Sequence, residues 1–180
     1  WAGYAPVRAR FMGFGHRFSL GFISKETIAD SAALQRTAEK AARDVALYDQ
    51  QGCLSPHLFY VEVGGEHSPV DFAEALGREL ESLGKSLPRG SVEMGTKARI
   101  QEARSLAEVK QAAGEKTGIF ASPDGTGWTV IHEADPTVSL SPLFRTVRVK
   151  TIKTLEDALP MLKPWQPHLQ AAGISLPQDR

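Results

Sequence analysis

Cysteine is nearly missing from this chain: Cys53 is the only one in 180 residues. A single thiol excludes an intrachain disulfide framework and fits a reducing compartment, so a cytoplasmic protein is expected. Net charge is missing as well. Lysine plus arginine and aspartate plus glutamate number 21 each, which points away from an electrostatic nucleic-acid binder or a polybasic membrane anchor. No apolar run approaches the roughly 18 residues that a spanning helix needs. There is no secretory leader pattern, low-complexity tract or internal repeat. A metal-ligand set is lacking too, because Glu66-His67, or Cys53 with His57, offers too few donors for zinc.

What is present reads as an α/β domain. Hydrophobic residues make up 42% and charged residues 23% of the 180, ordinary values for a globular chain long enough to bury one core. Phe18 to Ile23 is an apolar, aromatic run and reads as a buried strand. Asp30 or Ser31 caps a helix with Leu34, Ala38, Ala41 and Val45 on one face and Ala42 and Ala46 beside them. That helix is predicted to end with Gly52 as its C′ glycine. Leu58 to Val63 reads as a central strand. Ser68-Pro69-Val70-Asp71 starts a second helix, with Phe72, Leu76, Leu80 and Leu83 as its buried stripe.

A third helix is predicted over about Lys97 to Ala113, with Ile100, Ala103, Leu106 and Val109 inward. Thr117 to Ala121 and Trp128 to His132 read as strands joined through the turn residues Ser122 to Gly127, a hairpin. Val147 and Val149 alternate with charged residues, as on a half-exposed strand. Arg145 reads as a solvated arginine at the strand's end. Thr154 to Asp157 caps a short helix, and Trp165 to Ala172 is predicted as another, closed by Gly173. Strands alternating with helices predict a mostly parallel sheet flanked by helices, with one hairpin.

The sole thiol sits where the first helix gives way to the central strand, a kind of junction that often carries chemistry. Cys53 has two readings: a small buried hydrophobe, or a nucleophile. A site just past a helix C-terminus does not favour a thiolate, because the dipole there favours cations. Activation then falls to backbone donors, a neighbouring base or a bound cofactor. Asp49 is suited to orienting a neighbour or to stabilising the turn. His57 and His16 are the candidate supporting imidazoles, and His16 reads equally as a structural histidine. Gly13 and Gly15 allow a close backbone approach, by default a turn or bulge. A phosphate role for them lacks the rest of a dinucleotide fingerprint.

Asp49-Gln50-Gln51-Gly52-Cys53-Leu54-Ser55-Pro56-His57, followed by Leu58-Phe59-Tyr60-Val61-Glu62, resembles the nucleophile region of bacterial acyl-CoA reductases. These include the fatty-acid reductase of luminous bacteria and form a branch of the aldehyde dehydrogenase superfamily. Gly15-His16-Arg17-Phe18-Ser19 is similar to the family's strand entry, and Pro167 to Ile174 to its return towards the cofactor domain. The resemblance runs from about Phe11 to Ile174. It implies an aldehyde-dehydrogenase-like catalytic domain over 11–176, a remnant of the cofactor-binding domain over 1–10 and a polar tail over 177–180. Because the chain begins with Trp1, it also implies a longer protein whose dinucleotide-binding half mostly precedes that residue.

The chemistry implied is acylation of Cys53 by a fatty acyl-CoA or another acyl thioester. Hydride from NADPH, or NADH, then releases an aldehyde. The backbone amide of Cys53 is the implied oxyanion donor, and Gly13 and Gly15 the implied cofactor-facing residues. Gly13 stands where ordinary aldehyde dehydrogenases carry a glutamate general base, which implies reduction rather than hydrolysis. The implied partners are acyl-CoA, an acyl-donating protein, or a second copy of the chain. The residues themselves leave two other readings open: an acyltransferase or thioesterase using the same thiol, and a non-catalytic structural domain.

Overall fold

The structure, a computed structural model, describes residues 16–177. Gly13, Gly15 and the segment 1–10 lie outside the described residues. Apolar runs in the middle of the chain form β1 (Phe18–Ile23), β2 (Pro56–Glu62) and β5 (Thr146–Ile152). Joined by β3 (Thr117–Ala121), β4 (Thr129–Glu133) and β6 (Leu169–Ser175), they make one sheet in the order β3-β4-β5-β2-β1-β6. Every pairing is parallel except β3 with β4, the predicted hairpin.

Two helices cover one face. In α1 (Ser31–Ala46) the Asp30 carboxylate accepts from the Ala33 amide at 2.8 Å and caps the first turn. In α2 (Pro69–Ser86) Ser68 and Asp71 form a reciprocal capping box with Pro69 in the first turn. Leu34, Ala38, Ala41 and Val45 of α1 and Phe72, Leu76 and Leu80 of α2 pack on Phe59, Val61, Val130, Val147 and Val149. Each fully buried large side chain here contributes roughly 1.5–3 kcal/mol. Alternation sends Phe18, Leu20, Leu58, Tyr60 and Ile152 to the other face. There they pack against Ala158 and Leu162 of α4 (Ala158–Leu162).

Four expectations are corrected. The first helix stops at Ala46, and the left-handed residues beyond it are Tyr48, Asp49 and Gln50 rather than Gly52. The predicted helix from Trp165 to Ala172 holds only as far as His168, in a 3-10 helix over Lys163–His168, and then gives way to β6. Parallel pairing with β1 overrides the helical preference of Gln170-Ala171-Ala172. In α3 (Met94–Ala112) the inward face is Thr96, Ile100, Arg104 and Ala107, while Leu106 and Val109 are exposed. Arg104 is buried because its guanidinium donates to Thr129 Oγ1 at 2.8 Å and to the Gly125 and Trp128 carbonyls at 2.8 and 2.9 Å. A face defined by hydrophobicity alone therefore points the wrong way.

The fourth correction concerns β5, which is buried on both faces. Arg148 and Lys150 are not solvated: Lys150 is 1% exposed. Lys150 Nζ meets Glu133 Oε2 at 2.7 Å, Arg148 meets the same oxygen at 3.0 Å, and Lys110 of α3 meets Oε1 at 3.1 Å. Burial alone would raise the Glu133 carboxyl. The hydrogen bond and charge of Lys150, with the charge of Arg148 and the bond from Lys110, instead bring it down to about 2. The cluster also anchors the segment 134–145. Ser139 Oγ donates to Glu133 at 3.2 Å, Arg148 Nε donates to the Leu140 carbonyl at 3.3 Å, and Tyr60 donates to the Pro136 carbonyl at 2.8 Å.

A candidate thiol site at the amino ends of the parallel strands

Ligands of open parallel sheets ordinarily bind outside the carboxyl ends of the strands. Here the residues lining the cleft that holds Cys53 come from the opposite end. Arg17 and Phe18 enter β1, Gln50 to Cys53 and His57 enter β2, Leu140 to Phe144 precede β5, and Trp165 and His168 precede β6. His16 and Arg99 of α3 complete the wall, and the cavity measures about 470 Å³.

Cys53 is exposed in this cleft, so the buried-hydrophobe reading does not hold. Ser19 Oγ donates to the Cys53 carbonyl at 2.7 Å, and the Ser55 amide donates to the Gly52 carbonyl at 3.0 Å. The backbone on both sides of the thiol is thereby tied to β1 and to its own turn. The aromatic part of the wall is layered edge to face. Phe18 lies 5.8 Å from the His57 ring and 5.7 Å from Trp165.

Each sequence candidate has a definite place. His57 lines the cleft half-buried, burial holds its pKa below the ordinary histidine value, and its Nδ1 has no partner among the described residues. His57 and the free thiol of Cys53 line the same cleft. His16 is exposed, and its carbonyl lies 3.3 Å from His168 Nδ1. The Asp49 carboxylate is taken up by Arg145, with Oδ1 2.9 Å from Nε and 2.8 Å from the NH2 nitrogen. Its other oxygen accepts from the Gly90 amide at 2.9 Å. Arg145 is not solvated: it is 3% exposed and also donates to the Leu87 carbonyl at 2.9 Å. Among the described residues lining the cleft, Arg17 and Arg99 are cationic and none is acidic.

Two unusual backbone turns flank the thiol. Tyr48, Asp49 and Gln50 have φ of 53°, 50° and 64°, and Leu143, Phe144 and Arg145 have φ of 70°, 54° and 63°. None is glycine, and a left-handed conformation costs such residues roughly 1–2 kcal/mol each. The sequence reading did not place Arg99 or Trp165 in this region, nor did it pair Arg145 with Asp49 or Gln50 with the start of β5. Asp and Gln tolerate left-handed turns unequally, so only Asp49 carried a local signal. Nothing local marks a contact between residues 96 apart.

Comparison with known proteins agrees with this architecture. The chain is 26% identical over 169 residues to the long-chain acyl-protein thioester reductase of Aliivibrio fischeri, covering 90% of this chain and 31% of that protein. It is 25% identical over 167 residues to long-chain acyl-protein thioester reductase 2 of Photobacterium leiognathi, again covering 90% and 31%. It thus spans about a third of the length of these relatives. Among solved structures, betaine aldehyde dehydrogenase from Staphylococcus aureus, in complex with NAD+, superposes with a TM-score of 0.59 at 13% identity, covering 91% of this chain and 38% of that one. Gamma-glutamyl-gamma-aminobutyraldehyde dehydrogenase from Burkholderia cenocepacia gives a TM-score of 0.58 at 12% identity, covering 92% and 39%. The fold is aldehyde-dehydrogenase-like. The family model described as acyl-CoA reductase (LuxC) matches residues 2–180, and the chain belongs to that family.

Proposed function

We propose that this chain supplies the acyl-accepting half of a reductase that converts a fatty acyl thioester to an aldehyde. The observation that carries the reading is the exposed Cys53 thiol in a cleft that His57 also lines, with burial holding that imidazole below its ordinary pKa. His57 takes the thiol proton, and Cys53 Sγ attacks the thioester carbonyl. The backbone amide of Cys53 faces the charge that develops on oxygen, a contribution worth about 100-fold or more. The donor's thiolate leaves, takes the proton from His57, and the acyl group remains on Cys53 as a thioester.

A nicotinamide dinucleotide, NADPH or NADH, supplies when bound the hydride that turns the acyl carbon into the aldehyde. The donor set fits part of such a group. Trp165 offers ring surface and Arg17 and Arg99 offer charge for phosphate, whereas no described lining residue is a carboxylate for a ribose. Gly13 and Gly15 remain the proposed backbone approach to the cofactor. The acyl donor is acyl-CoA or an acyl-protein, and the names of the two relatives support the second. A cytoplasmic setting, with its free thiol, and assembly with a second copy or a donor protein belong to the same proposal.

The test is labelling with tritiated palmitoyl-CoA. The full-length protein is expected to take up label at Cys53 and the Cys53→Ala variant to take up none; equal labelling of both removes Cys53 from the reaction. Following NADPH absorbance in the same mixture separates a reductase, which consumes it, from an acyltransferase or thioesterase, which does not.

A further inference from the structure

The two left-handed turns are joined to each other behind the thiol. Asp49 of the first turn and Arg145 of the second form an ion pair at 2.8 Å. Next to it, Gln50 Oε1 accepts from the Thr146 amide at 2.9 Å, while Gln50 Nε2 donates to the Pro56 carbonyl at 2.7 Å. Gln50 is 1% exposed, so its amide is a buried bridge from the thiol loop to β5 and back to the start of β2. The first turn leads directly into Gly52 and Cys53, and the second carries Leu143 and Phe144 in the cleft wall. Both turns hold non-glycine residues at positive φ, a conformation that persists only where its surroundings over-determine it. The clamp supplies part of that determination: the Asp49–Arg145 pair joins one strained residue of each turn, and Gln50 ties the first turn to Thr146, next to the second, and to Pro56.

From this we propose that Asp49, Gln50 and Arg145 are positioning residues. They set the distance between the Cys53 sulfur and the opposite wall, and so the placement of the acyl carbonyl for attack. They do so through the backbone and without touching the substrate. The inference rests on the acyl-accepting role proposed for Cys53. Arg145 serves through its planar fork, two nitrogens on Asp49 and a third on Leu87, so lysine, with one point donor, is no substitute.

The experiment uses Asp49→Asn, Arg145→Lys and the double variant of the full-length protein. Three readouts are taken: the first-order rate of Cys53 acylation at saturating palmitoyl-CoA, alkylation of Cys53 by iodoacetamide, and amide hydrogen exchange. Each single variant is expected to lower the acylation rate by about 100-fold, with little change in the half-saturating concentration. The double variant is no slower than the slower single one. Alkylation by the small reagent stays within about threefold of wild type, because intrinsic thiol reactivity is untouched. Exchange quickens at 143–146 in Asp49→Asn and at 48–53 in Arg145→Lys. Where Asp49→Asn does not fold, Asp49→Glu takes its place with the same expectations. Wild-type acylation rates, single effects that multiply in the double variant, equal loss of alkylation and acylation, or exchange confined to the altered turn each overturn the clamp. A wild-type protein that takes no label at Cys53 overturns the acyl-acceptor reading instead, while the exchange pattern still decides the clamp.

Discussion

Two buried ion clusters border the same strand, and they hold different things. At the amino end of β5, Arg145 meets one carboxylate, Asp49, and fills its remaining valence with the Leu87 carbonyl. Further along, Arg148 and Lys150 share Glu133 with Lys110, three cations on one carboxylate. The first cluster joins two strained turns at the thiol cleft. The second lies under the sheet and pins the start of the segment 134–145, whose far end the first cluster pins. The segment that walls the cleft is therefore held at both ends by buried charge. A carboxylate facing three cations is hard to neutralise, which is why Glu133 lies so far below its usual range.

The comparison breaks most visibly at Glu133. Glu133→Gln removes the carboxylate shared by the buried Arg148 and Lys150 and the half-buried Lys110 and is expected to cost about 3–5 kcal/mol in urea unfolding. A cost near zero would show that the cluster is solvated. A pH series sharpens the same point. The Glu133 carboxyl lies at about 2 in the folded chain against its ordinary 4.5. Its contribution is present above the unfolded value and is lost as pH falls through the folded one, so stability should decline between 4.5 and about 2. In Glu133→Gln that decline should be shallower.

Asp49→Asn comes next. Removing the Asp49 charge, which faces Arg145 and the nearby Arg89, is expected to cost about 1.5–3 kcal/mol, less than the change at Glu133, because Asp49 retains contact with solvent. A larger loss than at Glu133 would reverse the ranking of the two clusters. The smallest effect is expected at Tyr48, which is 82% exposed with φ 53°. Tyr48→Gly removes a left-handed penalty at some cost in chain entropy, and thermal unfolding should show a gain of at most about 1 kcal/mol. A clear loss would mean that the Tyr48 ring, not the clamp, supports the turn.

Much of this architecture is legible without coordinates, and the reasons are local. Ser68-Pro69-Val70-Asp71 announces a helix start because capping needs only residues three apart, and the capping box forms as read. The inward face of α1 follows from periodicity, since Leu34, Ala38, Ala41 and Val45 have no polar competitor. The same reasoning fails on α3, where Arg104 is buried by its hydrogen bonds. It fails on β5, where Arg148 and Lys150 go inward because Glu133 waits there on a neighbouring strand. It fails again at β6, whose residues favour helix until β1 offers them a partner.

Residue order alone determined the thiol's address: a unique cysteine between a helix and a central strand, in a stretch that resembles a family's nucleophile region. It also determined the caps, the hairpin and the parallel α/β pattern, because these depend on neighbours a few residues apart. Only the tertiary structure decided that the cleft opens at the amino ends of the strands, that His57 lines it half-buried, and that Asp49 pairs with Arg145. Those outcomes depend on burial and on partners distant along the chain, and no short-range pattern records either.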